Sequence, residues 1–200
     1  SKSLAFHCLW FFTNKAKALN AASSAVAVNN SWGLNATLVD DDIVLMNNNG
    51  WSGAELLSYR WYGNTNSGNV TAFTNWVNAL DDFQEHGVVV FSNSNTASND
   101  NVELFAGLPE VFPDLAEALI VGVNIDIGGV AGDGTYVRKS APCGDAGPYC
   151  LAADGYAIST LAANNGFTYY VYDSNGDGTI NTTNSGTSYV APMISGAVAI

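Results

Sequence analysis

Basic residues are scarce in this 200-residue sequence, which has six lysines and arginines against eighteen aspartates and glutamates. The formal net charge is −12 at pH 7 with histidine neutral. Because such a surface repels phosphate groups, the composition argues against binding to nucleic acid or to anionic lipid. An acidic surface suits a secreted protein that meets cations such as calcium, but the charge alone fits any acidic soluble domain equally well.

Long apolar runs are also missing from the sequence. None approaches the ~18–20 residues that cross a bilayer, so no membrane span is expected. Residues 4–12 are apolar but have no small-residue cleavage site after them, which predicts a core segment rather than a signal peptide. The sequence begins with Ser1 and stops inside an apolar run at Ile200, so we expect both ends to be cuts through a longer protein.

Helical and strand patterns alternate along the rest of the chain. An Ala-rich helix is expected over residues 14–25 and an amphipathic helix over residues 75–85. Short apolar strands follow at residues 25–30, 87–91 and 118–124. Strands of this kind are typical of a parallel sheet with both faces covered. The sequence therefore predicts one α/β domain, doubly wound, with a mostly parallel sheet flanked by helices and incomplete at both ends.

Residues 35–75 are rich in Asn, Gly and Asp and predict a long surface loop or insertion. The acidic triplet Asp40–Asp42 within it is interpreted as a solvated charge run in preference to a metal site. Trp61 and Tyr62 are interpreted as a small satellite core under this loop, in preference to a carbohydrate-binding platform.

The most informative stretch is residues 185–196, SGTSYVAPMISG, where a polar loop with glycines leads into an apolar run. This pattern predicts a loop that ends at the N-terminus of a buried helix, with Ser188 at the junction. Backbone N–H groups and the helix dipole favour negative charge at such a point. A hydroxyl placed there suits nucleophilic acyl transfer, whose transition state puts charge on a nearby oxygen.

The same stretch resembles the Gly-Thr-Ser-x-x-Ala-Pro nucleophile motif of subtilisin-like serine proteases, and the resemblance implies that Ser188 is the nucleophile. Ser31, Trp32 and Gly33 are similar to the Ser-x-Gly strand end that lines the substrate pockets in this family. The Ser-Trp-Gly version looks like that of the autotransporter and kexin-like branches. These three residues are therefore expected to bind the polypeptide substrate, although such a triplet alone is also an ordinary strand end.

A second element of that family follows the strand at residues 87–91. The family carries there a Phe/Ala-Ala-Ala-Gly-Asn element, and the register implies that Asn95 donates to the oxyanion. A side-chain amide suits this role because it offers an N–H without a charge. Ser92 and Asn93 replace small residues and are expected to make the substrate pocket more polar. Asn93 remains an alternative for the oxyanion role, and a loop without chemistry is a third interpretation.

Cys143 and Cys150 flank a short segment with Gly and Pro, which favours a local disulfide over two reduced thiols. A disulfide implies an oxidising compartment, and hence a secreted or cell-surface protein. The surrounding Cys…Cys-Leu-Ala-Ala run also resembles a segment of the autotransporter subtilases.

Residues 173–184 match the start of a twelve-residue calcium loop. A structural Ca²⁺ is expected here, although an ordinary turn between strands fits the same residues. The expected oxygen ligands are Asp173, Asn175, Asp177, Thr179 and Asn181.

Histidine is nearly absent, and neither His7 nor His86 lies in the His-Gly-Thr motif that the resemblance requires ahead of the Ser-x-Gly strand. Both are interpreted as structural. The sequence is thus expected to be the C-terminal half of a secreted serine endopeptidase domain, inactive alone, with a further C-terminal domain as an open question. The alternatives are a sedolisin-type peptidase, which uses Asp in place of Asn95, and a non-catalytic calcium-binding surface module.

Overall fold

The computed structural model describes residues 2–34, 37, 40–127, 136–158, 162–164, 168–170 and 185–200. The helices are α1 (Lys2–Ala21), α2 (Asp40–Asn49), α3 (Gly53–Tyr62), α4 (Ser67–Gln84) and α5 (Thr187–Val198). The strands are β1 (Ala27–Asn30), β2 (Val88–Ser92), β3 (Leu119–Asp126), β4 (Val137–Arg138), β5 (Cys150–Asp154), β6 (Ala162–Asn164) and β7 (Thr168–Tyr170). Short 3₁₀ helices cover Leu108–Glu110, Pro113–Ala116 and Gly144–Tyr149.

The main sheet is mixed but mostly parallel. β1, β2, β3 and β5 pair in that order and run parallel, and β4 pairs antiparallel with β3. β6 and β7 form a separate antiparallel pair. The predicted α/β class with a mostly parallel sheet and flanking helices is confirmed.

Helices cover both faces of the sheet. Since successive side chains of a strand point to opposite faces, neighbouring residues of β2 pack into different cores. Val89 and Phe91 of β2 belong to a large core cluster that also contains residues of α1, α3 and α4. Val90, between them, packs instead with residues of α5, among them Val190 and Ile194. This arrangement explains why β2 is a continuous apolar run rather than an alternating one.

Aromatic rings fill the larger of these two cores. The Phe12 ring centroid lies 4.2 Å from that of Phe73 and 5.1 Å from that of Trp76, and all three side chains are fully buried. Trp32 and Phe105 join them, with ring centroids 5.2 Å apart. In the described ranges no helix combines the length and apolar character needed to cross a membrane.

The prediction of a loop over residues 35–75 is wrong, because this segment forms α2, α3 and the start of α4. Several of the polar residues are helix caps. Ser52 and Glu55 form a capping box at the start of α3, and Gly63 ends α3 with a φ of 70°. Leu56 and Leu57, between these caps, are fully buried, so α3 is part of the core.

The aromatic and acidic residues of this segment are also more buried than expected. Trp61 is partly buried and packs against the main core, with its ring edge-to-face with that of Phe12 at a centroid distance of 5.2 Å, and does not form a satellite cluster. Asp42 is 4% exposed, and its carboxylate lies 3.2 Å from Nε of Arg60. The interpretation of Asp42 as a solvated charge is therefore wrong; it is one half of an ion pair between α2 and α3.

The sulfur atoms of Cys143 and Cys150 lie 2.05 Å apart, at disulfide distance, with a sequence separation of 7. The bridge closes the loop that carries the 3₁₀ helix Gly144–Tyr149 and joins it to the first residue of β5.

Replacing both Cys143 and Cys150 by serine is expected to lower the free energy of unfolding by roughly 2–3 kcal/mol, because the unfolded chain regains the loop entropy that the bridge removes. Urea unfolding of the two proteins under non-reducing conditions measures the difference. Equal unfolding midpoints would show that the bridge does not constrain the unfolded chain.

Candidate active site

Three segments from distant parts of the sequence meet at the carboxyl edge of the parallel sheet. β1 and β2 pair side by side, so the residues after Asn30 and after Phe91 leave the sheet at the same edge. The start of α5 lies against these two strand ends and closes a cavity of about 130 Å³. The residues that line this cavity are Ser31, Trp32, Gly33, Leu34, Ser92, Asn93, Ser94, Asn95, Glu103, Thr187 and Ser188.

A close approach between β5 and α5 fixes the position of the helix. The Gly186 N–H donates to the Gly155 carbonyl over 2.9 Å, just beyond the end of β5. A Cβ on Gly155 would lie 2.7 Å from the Gly186 carbonyl oxygen and from the Val190 side chain. Glycine is thus required at position 155 for α5 to begin where it does.

Ser188 is the second residue of α5, and it is exposed at the mouth of the cavity. Its hydroxyl lies 3.4 Å from the Ser31 carbonyl oxygen, and the Ser31 hydroxyl donates to the Ser188 carbonyl over 3.2 Å. Within the described part of the chain the Ser188 N–H has no acceptor, as the geometry of a first helical turn allows. The predicted helix N-terminus at Ser188 is confirmed.

Asn95 is held through its amide oxygen. Its Oδ1 accepts from the Thr187 N–H over 2.8 Å. The Thr187 hydroxyl lies 3.0 Å from the same oxygen, but its single hydrogen goes to the Asn93 carbonyl over 2.5 Å. The Thr187 N–H fixes the amide orientation, because Nδ2 in the same place would face an N–H. Nδ2 makes no hydrogen bond to any residue that the structure describes. Thr187, which precedes Ser188, therefore presents the Asn95 amide at the mouth of the same cavity.

Asn93 has no such freedom. Its Nδ2 donates to the carbonyls of Ala141 and Pro142 over 3.2 and 2.7 Å, and its Oδ1 accepts from the Ser94 and Glu103 N–H groups. The side chain is 3% exposed. Asn93 lines the cavity as the sequence predicts, but both of its amide hydrogens are used, so it has none to offer an oxyanion.

The other predicted substrate-binding residues also reach the cavity. Ser31 and Gly33 lie along one wall, and Ser92, at the end of β2, lies in the buried part with 5% exposure. Trp32 contributes less than expected, because its ring packs into the aromatic core and its Nε1 donates to Asn30 Oδ1 over 3.1 Å.

Glu103 is a cavity residue that sequence reasoning missed. It is 1% exposed, and its two carboxylate oxygens accept three backbone N–H groups. Those donors are Leu34 at 2.6 Å, Phe105 at 2.8 Å and Ala106 at 3.1 Å. Burial raises the pKa of the Glu103 carboxyl to about 8, although the three N–H groups act in the opposite direction. In the sequence, the sign that pointed to Glu103 was an acidic residue inside the otherwise apolar run of residues 102–106.

Among the described residues that line the cavity there is no histidine. His86 is exposed, with its ring 4.9 Å from that of Phe83, and it precedes the amino end of β2 while Ser92 is at the carboxyl end. His7 lies in α1, in a part of the helix where the structure does not describe the side chains. A general base for Ser188 is thus not found in the part of the chain that the structure describes.

The predicted calcium ligands Asp173, Asn175, Asp177, Thr179 and Asn181 all lie outside the described residues. In the remainder, no three His, Cys, Asp or Glu side chains come together as a candidate metal site.

No protein-family model matches the sequence, and no match was found among curated proteins. The geometry and chemistry of the cavity at Ser188 are therefore what indicates a function.

Proposed function

We propose that Ser188 is the nucleophile of a secreted, subtilisin-like serine endopeptidase, and that these 200 residues are the C-terminal half of its catalytic domain. The observation that supports this most directly is that one cavity is lined by a serine hydroxyl and by two N–H donors that have no acceptor among the described residues. The Ser188 N–H and the Asn95 amide both lie at the mouth of the cavity, and Thr187 links them. This is the arrangement that stabilises an oxyanion in acyl transfer.

In the proposed reaction, Oγ of Ser188 attacks the carbonyl carbon of a peptide bond, and its proton passes to a histidine beyond the two in this sequence. The carbonyl oxygen becomes an oxyanion that accepts hydrogen bonds from Ser188 N–H and Asn95 Nδ2. The C–N bond then breaks as the histidine returns the proton to the leaving amine. Water hydrolyses the acyl-enzyme by the reverse sequence of proton transfers.

The environment of the cavity supports this role for a serine. The first turn of α5 places the positive end of the helix dipole at the developing negative charge. Asn95 carries no charge of its own, so it needs no counter-ion when the site is empty. The cysteine pair at disulfide distance supports export to an oxidising compartment. A structural Ca²⁺ in residues 173–184 and the absence of nucleic-acid partners stay predictions from the sequence.

The proposal is tested with a serine-directed fluorophosphonate probe on the full-length protein. Covalent labelling is expected, and peptide mapping is expected to place the probe on Ser188, because only an activated hydroxyl reacts. Ser188→Ala should abolish labelling. Ser195→Ala is the matched control, since Ser195 lies in the same helix with its hydroxyl bonded to the Ala191 carbonyl over 2.9 Å.

Labelling of the Ser195→Ala protein at the parent rate would assign the reaction to Ser188 alone. A folded full-length protein that is not labelled would contradict the proposal and favour a non-catalytic surface module. These 200 residues alone are expected to remain unlabelled, since no histidine is found among the described residues that line the cavity at Ser188.

A further inference from the structure

The cavity beside Ser188 changes from an open mouth to a buried, polar floor. Ser188, Asn95 and Gly33 at its mouth are exposed. Ser92, Ser94 and Glu103 also line the cavity but are only 1% to 5% exposed, and these three buried residues are called its floor. A pocket built to hold a hydrocarbon side chain would have an apolar floor. This floor instead offers oxygen atoms and a carboxyl group.

Among the described residues that line this cavity, Glu103 is the one with an ionisable side chain. Within the described part of the chain no lysine or arginine forms an ion pair with it; the ion pairs found there are Arg60 with Asp42 and Lys139 with Asp126. A buried carboxylate without a counter-charge is unfavourable, and this burial raises its pKa to about 8. A cation that entered the cavity would supply the missing charge.

The size of the cavity limits which side chain fits. A cavity of about 150 Å³ holds benzene, with six heavy atoms. The present cavity, at about 130 Å³, is slightly smaller. A lysine side chain has five heavy atoms and ends in a compact ammonium, whereas arginine and phenylalanine have seven. The net charge of −12 also favours the approach of cationic peptides.

We propose that this cavity receives a lysine side chain from the residue that supplies the scissile carbonyl, and that Glu103 determines this specificity. The inference rests on the proposed role of Ser188, because the lysine is placed relative to its hydroxyl. The ammonium reaches the floor and donates to the Glu103 carboxylate, whose oxygens already accept the N–H groups of residues 34, 105 and 106. Because the Glu103 pKa is about 8, its carboxyl releases a proton to solvent at neutral pH when the ammonium binds. Glu103 thus binds substrate and takes no part in the proton transfers at Ser188.

The test compares cleavage of peptides that differ at one position, with Lys, Met, Gln or Phe before the scissile bond. For the full-length protein, kcat/KM is expected to favour Lys over Met by roughly 10–100-fold, the discrimination given by one hydrogen bond to a charged group. Met has nearly the same length and no charge, so the Lys-to-Met ratio isolates the contribution of charge. This ratio is measured on the parent protein and needs no variant to fold.

Glu103→Gln is expected to reduce the Lys-to-Met ratio of kcat/KM about tenfold or more. The control is Glu117→Gln, which removes the same charge from an exposed residue outside the cavity and should leave the ratio unchanged. Labelling of Ser188 together with a preference for Met or Phe would overturn the lysine inference and leave the proposed function intact. Absence of both labelling and cleavage would overturn the proposed function, and the inference with it.

Discussion

Asn95→Ala is expected to lower kcat of the full-length protein by roughly 10²–10³-fold, the loss that follows removal of one oxyanion donor from a serine protease. The Asn95 amide nitrogen makes no hydrogen bond in the described chain, while its oxygen accepts the Thr187 N–H over 2.8 Å. An N–H that is oriented in advance and unused in the resting protein acts mainly in the transition state. The loss should therefore appear in kcat, with KM changed much less.

The matched control is Thr96→Ala, one residue along the same exposed loop, whose hydroxyl makes no hydrogen bond in the described chain. In a peptide-hydrolysis assay, kcat of Asn95→Ala is expected to be at least about a hundredfold lower than kcat of Thr96→Ala. Asn95→Asp is a stricter variant, because it keeps an acceptor for Thr187 and places a negative charge where the oxyanion forms. Activity within a few-fold of the parent in Asn95→Ala would remove Asn95 from the mechanism.

The stability of the protein is expected to fall as the pH rises through the range in which Glu103 ionises. In the unfolded chain this carboxyl loses its proton near pH 4.5, whereas in the folded protein its pKa is about 8. Between these values the folded state binds more protons, so each rise in pH favours unfolding. The contribution of Glu103 is complete below about pH 4.5 and is lost by about pH 9, a change of up to roughly 4–5 kcal/mol.

Urea unfolding at pH 5, 7 and 9 measures this change, with Glu103→Gln as the non-titrating variant. The glutamine amide faces a backbone N–H and is expected to cost stability equally at every pH. The pH-dependent difference between the two proteins therefore isolates the carboxyl group. A ¹³C NMR titration that placed the Glu103 pKa at or below 4.5 would contradict the prediction and would show that the three N–H donors outweigh burial.

The sequence predicted the elements that depend on local patterns. The apolar runs at residues 25–30, 87–91 and 118–124 became β1, β2 and β3, and the glycine-flanked hydroxyls at residue 185 onward became the start of α5. A strand that is buried on both faces must be apolar at nearly every position, so its pattern is visible in the sequence. The helix start is visible for a similar reason, since it combines small polar residues with an apolar run.

Residues 35–75 show where local patterns mislead. Asn, Gly and Asp are typical of turns, but small polar residues and glycine also cap helices. Ser52 and Glu55 cap the start of α3, and Gly63 caps its end. The helix between these caps is only ten residues long. Such a helix is stabilised mainly by packing, here through the buried Leu56 and Leu57, and a pattern of caps does not reveal what the helix packs against.

The amino-acid sequence by itself determined the α/β class, the position of Ser188 at a helix start and the proximity of Cys143 to Cys150, because each follows from residues close together in the chain. Only the tertiary structure decided that Asn93 uses both of its amide hydrogens whereas the Asn95 amide has no acceptor among the described residues, and that the buried Glu103 lines the cavity. Thr187 and Asn95 are 92 residues apart, and Glu103 and Leu34 are 69 apart. Contacts over such separations depend on how the strands pair and where α5 packs, and no local pattern carries that information.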